Sequence, residues 1–101
     1  MNQNDPPTEH ILACLSSSPS NAKIVRTAAT MAKAFGGTFT ALYVRTPDSD
    51  QMGKEDCRRL QQHIRMAEQA GADISTIYGD DIPQQIAEFA RISGITKIVL
   101  G

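Results

Sequence analysis

The apolar positions along the chain alternate between two periods. Ile11, Leu12, Ala13, Cys14 and Leu15 form a short unbroken apolar run, the pattern of a strand covered on both faces of a parallel sheet. The run stops at Ser16, Ser17, Ser18, Pro19 and Ser20. Ser18 reads as an N-cap and Pro19 as the first helical residue, because the first turn has no use for the N–H that proline lacks. Val25, Ala28, Ala29 and Ala32 then recur at helical spacing beside Ile24, Met31 and Phe35, and Gly36 and Gly37 end the helix. Residues 38–44 are β-branched and aromatic. Their alternation predicts a second strand with Phe39, Ala41 and Tyr43 on one face and Thr40, Leu42 and Val44 on the other.

The polar stretch 46–54 is a predicted loop, followed by a helical stripe of Cys57, Leu60, Ile64, Ala67 and Ala70. Arg58, Arg59, Gln62, Arg65 and Glu68 lie away from that stripe as a solvated face of mixed charge. Gly71 closes the helix, residues 72–78 form a third strand, and Gly79, Asp80 and Asp81 turn the chain. Pro83 opens a third helix with Ile82, Ile86, Phe89 and Ala90 on its apolar side, Gly94 ends it, and residues 97–100 form a fourth strand. Alternating strands and helices of this kind fold as right-handed βαβ crossovers, so the predicted class is α/β with a doubly wound parallel sheet. The domain spans 9–101 behind an N-terminal arm, residues 1–8, whose Pro6, Pro7 and lack of periodicity predict flexibility. Ending on a strand with no following helix, the domain reads as truncated after its fourth strand, which leaves an open sheet region suited to a homodimer.

A length of 101 residues allows one domain. Ten Lys and Arg oppose eleven Asp and Glu, so no net field draws in nucleic acid or an anionic membrane. No apolar run reaches the roughly 18 residues of a membrane span, and the start MNQNDPPTEH has neither a basic nor an apolar leader. The chain reads as cytoplasmic. Cys14 and Cys57 show no metal-ligand spacing, so no metal site or disulfide framework is expected, and both read as buried small hydrophobes.

Open parallel sheets bind ligands beyond the carboxyl ends of their strands, where the winding reverses. The turn Ser16–Ser18 is the most informative such loop: its hydroxyls lead into a helix N-terminus whose free N–H groups favour a phosphate. Residue type alone favours plain capping there. Arg45, at the carboxyl end of the second strand, either pairs with a phosphate or covers the sheet edge. Neither a dinucleotide-binding GxGxxG nor a Walker-type loop is present. His10 and His63 read as surface histidines without a nucleophile nearby, and one of Asp80 and Asp81 caps the third helix. No catalytic constellation emerges, and the chain is expected not to be an enzyme.

The segments EHILACLSSSPSNAKIVRTAATMAKAFGGTFTALYVRTP and ISGITKIVLG resemble the universal-stress-protein-like domain in the cytoplasmic N-terminal region of potassium sensor histidine kinases. That resemblance covers residues 9–101 and implies the adenine nucleotide alpha hydrolase-like fold. Members that bind cyclic di-AMP are similar in carrying SxS, twenty residues, then FTAxY. Here Ser16 and Ser18 fill the SxS, residues 19–38 the spacer, and Phe39, Thr40, Ala41 and Tyr43 the rest. The resemblance implies a sensory domain that binds cyclic di-AMP and regulates expression of a high-affinity potassium uptake system. Ser16, Ser17, Ser18, Phe39, Thr40, Ala41, Tyr43, Val44 and Arg45 are the implied ligand-binding residues. The other domains of the same kinase are the implied partners, with catalysis, the phosphoacceptor histidine and the membrane anchor outside this chain. ATP is the less favoured ligand, because ATP-binding relatives end the first strand with an Asp where Ser16 stands and carry a glycine-rich loop after the fourth strand.

Overall fold

A computed structural model describes residues 8–100. Of the expected arm only Thr8 falls within them. The elements run β1 (His10–Cys14), α1 (Asn21–Phe35), β2 (Thr38–Arg45), a 3-10 turn (Ser49–Gln51), α2 (Lys54–Gln69), β3 (Asp73–Tyr78), α3 (Ile82–Ile92) and β4 (Lys97–Val99). All four strands are parallel, in the order β3-β2-β1-β4. Two crossovers step outward from β1, and the third returns past it to β4. The winding therefore reverses between β1 and β4, and the switch point lies at their carboxyl ends.

Reversal of direction also places the helices on opposite faces, since each crossover keeps the same hand. Ile11, Ala13 and Leu15 of the first strand region and Phe39 and Ala41 of β2 pack with Val25, Ala28 and Ala32 of α1 and Leu60 and Ala67 of α2. Leu12, Leu42 and Val44 point to the other face, where Ile86 and Phe89 of α3 cover them. The predicted face assignment of β2 holds, and the fold is the doubly wound α/β sheet. The two layers are unequal. No residue of α3 is fully buried, and Ile92 stays 72% and Ile98 42% exposed.

Local signals set the boundaries. Gly36 adopts a left-handed φ of 63° at the end of α1, where its N–H and that of Gly37 close onto Lys33 and Ala32. Gly37 has a different reason to be glycine: a Cβ there would run into the Glu9 carbonyl, which accepts the Thr38 N–H at 2.9 Å. Asp81 caps α3 by accepting from the Gln84 N–H at 3.2 Å, with Pro83 in its first turn. At the amino ends of the strands, Thr96 Oγ1 accepts from the His10 N–H and donates to Glu9, which fastens the start of β4 to β1.

Three expectations need correction. Helix α1 begins at Asn21 rather than at Pro19, because the serine turn is closed on itself: Ser18 Oγ meets Ser20 Oγ at 2.9 Å and the Ser18 carbonyl accepts the Asn21 N–H. Cys57 is exposed, not buried, since the inward stripe of α2 runs through Leu60, His63 and Ala67. His63, expected at the surface, is 5% exposed. Cys14 is half-buried, and burial raises its thiol pKa. Both cysteines are free.

Candidate functional site

The switch point is occupied by the turn that leaves β1. Its first residue is still strand-like, with the Leu15 N–H donating to the Leu42 carbonyl at 2.8 Å. From Ser16 onward the backbone loses its sheet partners and is held by side chains. Asn21, in the first turn of α1 and 4% exposed, spans the turn: its Nδ2 donates to the Cys14 carbonyl at 2.8 Å and its Oδ1 accepts the Ser16 N–H at 3.1 Å. A buried amide satisfied on both sides in this way fixes the turn's width.

A second set of contacts arrives from α2. His63 Nδ1 donates to the Ser16 carbonyl at 2.8 Å, and because a carbonyl can only accept, the ring proton sits on Nδ1. One turn earlier, Arg59 donates to the Ser17 carbonyl at 3.0 Å and to Asp56 at 3.2 Å. Three consecutive serines are thus gripped by Asn21, Arg59 and His63. Within the turn, Ser16 Oγ accepts the Ser18 N–H at 3.2 Å and Ser18 Oγ accepts the Ser20 N–H at 3.4 Å. Ser16 Oγ, as acceptor there, keeps its own proton free to donate outward. No acceptor for the Ser17 N–H is found among the described residues.

Beside the turn, β2 runs three residues past the end of β1's pairing at Leu42. Tyr43 and Val44 therefore stand at the tip of the sheet next to the serines. Together they line a cleft of about 420 Å³ whose walls are Ser16, Ser17, Ser18, Ser20 and Asn21 on one side and Tyr43, Val44, Thr46, Asp48 and Ser49 on the other. Ile24, Met52, Ile82, Ile86 and Leu100 supply apolar surface. The volume lies within the range of about 300–1,000 Å³ common for small-molecule sites. The cleft thus offers hydroxyls and a helix N-terminus to an anion and flat apolar surface to an aromatic ring. Among the described residues no Lys or Arg lines it, and Asp48 adds an acidic group. It favours a ligand of modest negative charge that also buries ring surface.

Five of the nine sequence-expected residues, Ser16, Ser17, Ser18, Tyr43 and Val44, line this cleft. Phe39, Thr40 and Ala41 do not. They pair with Ile11, Leu12 and Ala13 along the body of the sheet, and Phe39 and Ala41 are buried in the core beneath α1. At about 3.3 Å per residue, Phe39 lies some 13 Å back from Tyr43. Arg45 does not line the cleft either: past the pairing of β2 with β1 it pairs with Tyr78 of β3, and its guanidinium holds Asp50 at 2.8 Å. That hydrogen bond and the carboxylate charge raise the Arg45 pKa. Arg45 lines an adjoining recess of about 370 Å³ between β2, β3 and α2, which shares Tyr43, Ser49 and Met52 with the cleft.

Sequence reasoning missed Asn21, Arg59 and His63, as well as Asp48 and the α3 residues Ile82 and Ile86. A signal existed for His63, which lies three residues after Leu60 and four before Ala67 and so belongs to the inward stripe by spacing. Its polarity argued the other way. Among the described residues no cluster of His, Cys, Asp and Glu could hold a metal ion, and no helix is long and apolar enough to cross a membrane.

A parallel sheet wound in this order, with a polar turn over the switch point, defines a doubly wound α/β domain whose candidate ligand site lies beyond the carboxyl ends of its strands. Residues 7–101 match the model of the universal stress protein family, and the chain belongs to that family. It is similar to the Sensor protein KdpD of Clostridium acetobutylicum, 39% identical over 94 residues, and to that of Escherichia coli K12, 30% identical over 91 residues. Those matches cover 93% and 90% of this chain but 10% of each sensor protein. Among solved structures, a universal stress protein in complex with cAMP superposes with a TM-score of 0.68 at 16% identity, over 92% of this chain and 71% of that one.

Proposed function

We propose that this domain is the cytoplasmic sensory module of a KdpD-type sensor histidine kinase, and that it binds cyclic di-AMP to regulate expression of a high-affinity potassium uptake system. The observation that carries this reading is the single cleft shared by the serine turn and the Tyr43 tip of β2. Cyclic di-AMP presents phosphodiesters and two adenines in one compact molecule. The turn supplies hydroxyls, the Ser17 N–H and the opening of α1 to a phosphate, while Tyr43, Ile24, Met52 and Ile82 supply apolar surface to a base.

Charge separates this ligand from ATP. A triphosphate carries more negative charge than two phosphodiesters, and among the described residues no cationic side chain lines the cleft to receive it, while Asp48 repels it. The cAMP complex of a structurally similar protein supports the nucleotide reading at the level of the base and one phosphate. In this account the domain is a binding module, and the kinase chemistry belongs to other parts of the sensor.

Isothermal calorimetry with cyclic di-AMP, cAMP and ATP tests it. Micromolar or tighter binding of cyclic di-AMP, with ATP at least tenfold weaker, is the expected result. Loss of the aromatic face in Tyr43→Ala weakens binding by about three- to tenfold. Equal affinity for ATP and cyclic di-AMP overturns the ligand assignment. Absence of heat with all three overturns nucleotide sensing and leaves docking or dimerisation, read from a mass that rises with concentration.

A further inference from the structure

We propose that Arg59 and His63 of α2 are positioning residues for the ligand site, acting through the backbone of the serine turn without touching the ligand. The inference rests on the nucleotide reading above and deepens it. Neither residue lines the cleft, and α2 contributes no residue to it. Both reach the same short segment: His63 takes the Ser16 carbonyl at 2.8 Å and Arg59 the Ser17 carbonyl at 3.0 Å, across 47 and 42 positions of sequence.

Planarity of the peptide turns those two bonds into an orientation. In a trans peptide the N–H points opposite to the C=O of the same unit. Holding the Ser16 carbonyl toward α2 therefore directs the Ser17 N–H away from α2, and holding the Ser17 carbonyl does the same for the Ser18 N–H. Ser17 lines the cleft and its N–H has no acceptor among the described residues. A donor fixed in advance toward the ligand spares the ordering cost that a mobile loop would incur on binding.

The placement of the pair supports the same conclusion. Arg59 and His63 are four residues apart, on one face of α2. His63 is 5% exposed and, among the described residues, its ring is hydrogen-bonded only through its link to the turn, and the Arg59 guanidinium is itself steadied by Asp56 at 3.2 Å. A buried histidine serving only as core filler has no need of this geometry, since a leucine would pack the stripe between Leu60 and Ala67.

The test compares the full chain with His63→Leu, His63→Asn and Arg59→Ala. The Asn amide places an N–H close to where Nδ1 stands, so His63→Asn restores the bond that His63→Leu removes. Arg59 is partly exposed, so Arg59→Ala disturbs the turn without opening the core. Order parameters from 15N relaxation at Ser16, Ser17 and Ser18 are measured without ligand, and calorimetry follows with cyclic di-AMP. The expected result is a rigid turn near 0.85 in the wild type and in His63→Asn, falling below about 0.6 in His63→Leu and Arg59→Ala. Affinity drops about tenfold in the latter two and stays within about threefold in His63→Asn. Unchanged order parameters, or equal affinities for His63→Leu and His63→Asn, overturn the positioning role. If the wild type gives no heat with cyclic di-AMP, the ligand reading fails, and the ligand-free order parameters still decide whether α2 orders the turn.

Discussion

Replacing Asn21 by Ala probes the turn where its two ends are tied together. The side chain is 4% exposed and makes two bonds, donating to the Cys14 carbonyl at 2.8 Å and accepting the Ser16 N–H at 3.1 Å. Alanine leaves both backbone groups without a partner in a setting that admits little water. Each orphaned group costs about 1–3 kcal/mol, and water entering from the open side of the cleft relieves part of that. Better helix propensity of Ala in the first turn of α1 returns about 0.5 kcal/mol. The net loss expected is about 2–3 kcal/mol, which lowers the midpoint of thermal unfolding by about 10–20 °C in a domain of this size. Asn21→Asp keeps the acceptor for Ser16 but turns a carboxylate oxygen toward the Cys14 carbonyl in a buried setting, so it costs at least as much. Urea denaturation monitored by circular dichroism gives the stabilities. A loss below about 0.5 kcal/mol for Asn21→Ala would refute the view of Asn21 as a two-sided clamp.

Gly37→Ala drives a Cβ into the Glu9 carbonyl and should cost about 1–3 kcal/mol, whereas Gly53→Ala, with open space around it, stays within about 0.5 kcal/mol; equal effects in urea titrations would contradict the close approach at Gly37. Burial raises the Cys14 pKa from the ordinary value of 9.0, so as pH climbs past that value the unfolded chain releases the thiol proton before the folded one does, and folding stability declines. Cys14→Ala should flatten that alkaline decline, and an unaltered profile would count against a desolvated thiol. Helix α3, with no fully buried residue, should exchange its central amide protons faster than α1 does; matched protection in native-state hydrogen exchange would show the two layers to be equally stable.

Much of the architecture was readable because it depends on period alone. The unbroken run at 11–15 and the alternation at 38–44 each specify a strand and, for β2, which side chains face which layer, whatever the rest of the chain does. The serine turn was readable as a candidate for a related reason: a doubly wound sheet takes ligands at the carboxyl ends of its strands, although residue type alone favours capping there. Register was harder. Phe39, Thr40 and Ala41 belong to the same motif as Tyr43, yet the pairing of Ile11 with Phe39 puts them alongside β1 and away from its tip. Arg45 is turned to Asp50, an ion pair that the spacing does not announce. Asn21, Arg59 and His63 escaped because their partners are backbone carbonyls and an amide of a turn, which carry no side-chain signature, and two of the three contacts close across more than forty positions.

Where a nucleotide sits decides whether the serine turn and Tyr43 form its site, and a crystal structure of the chain grown with cyclic di-AMP tests that directly. The predicted result is a phosphate oxygen about 3 Å from the Ser17 nitrogen or the Ser16 and Ser18 hydroxyls, with an adenine against the Tyr43 ring. Density for the ligand in the recess beside Arg45, or on the open face of β4, with the serine turn bare, would contradict it.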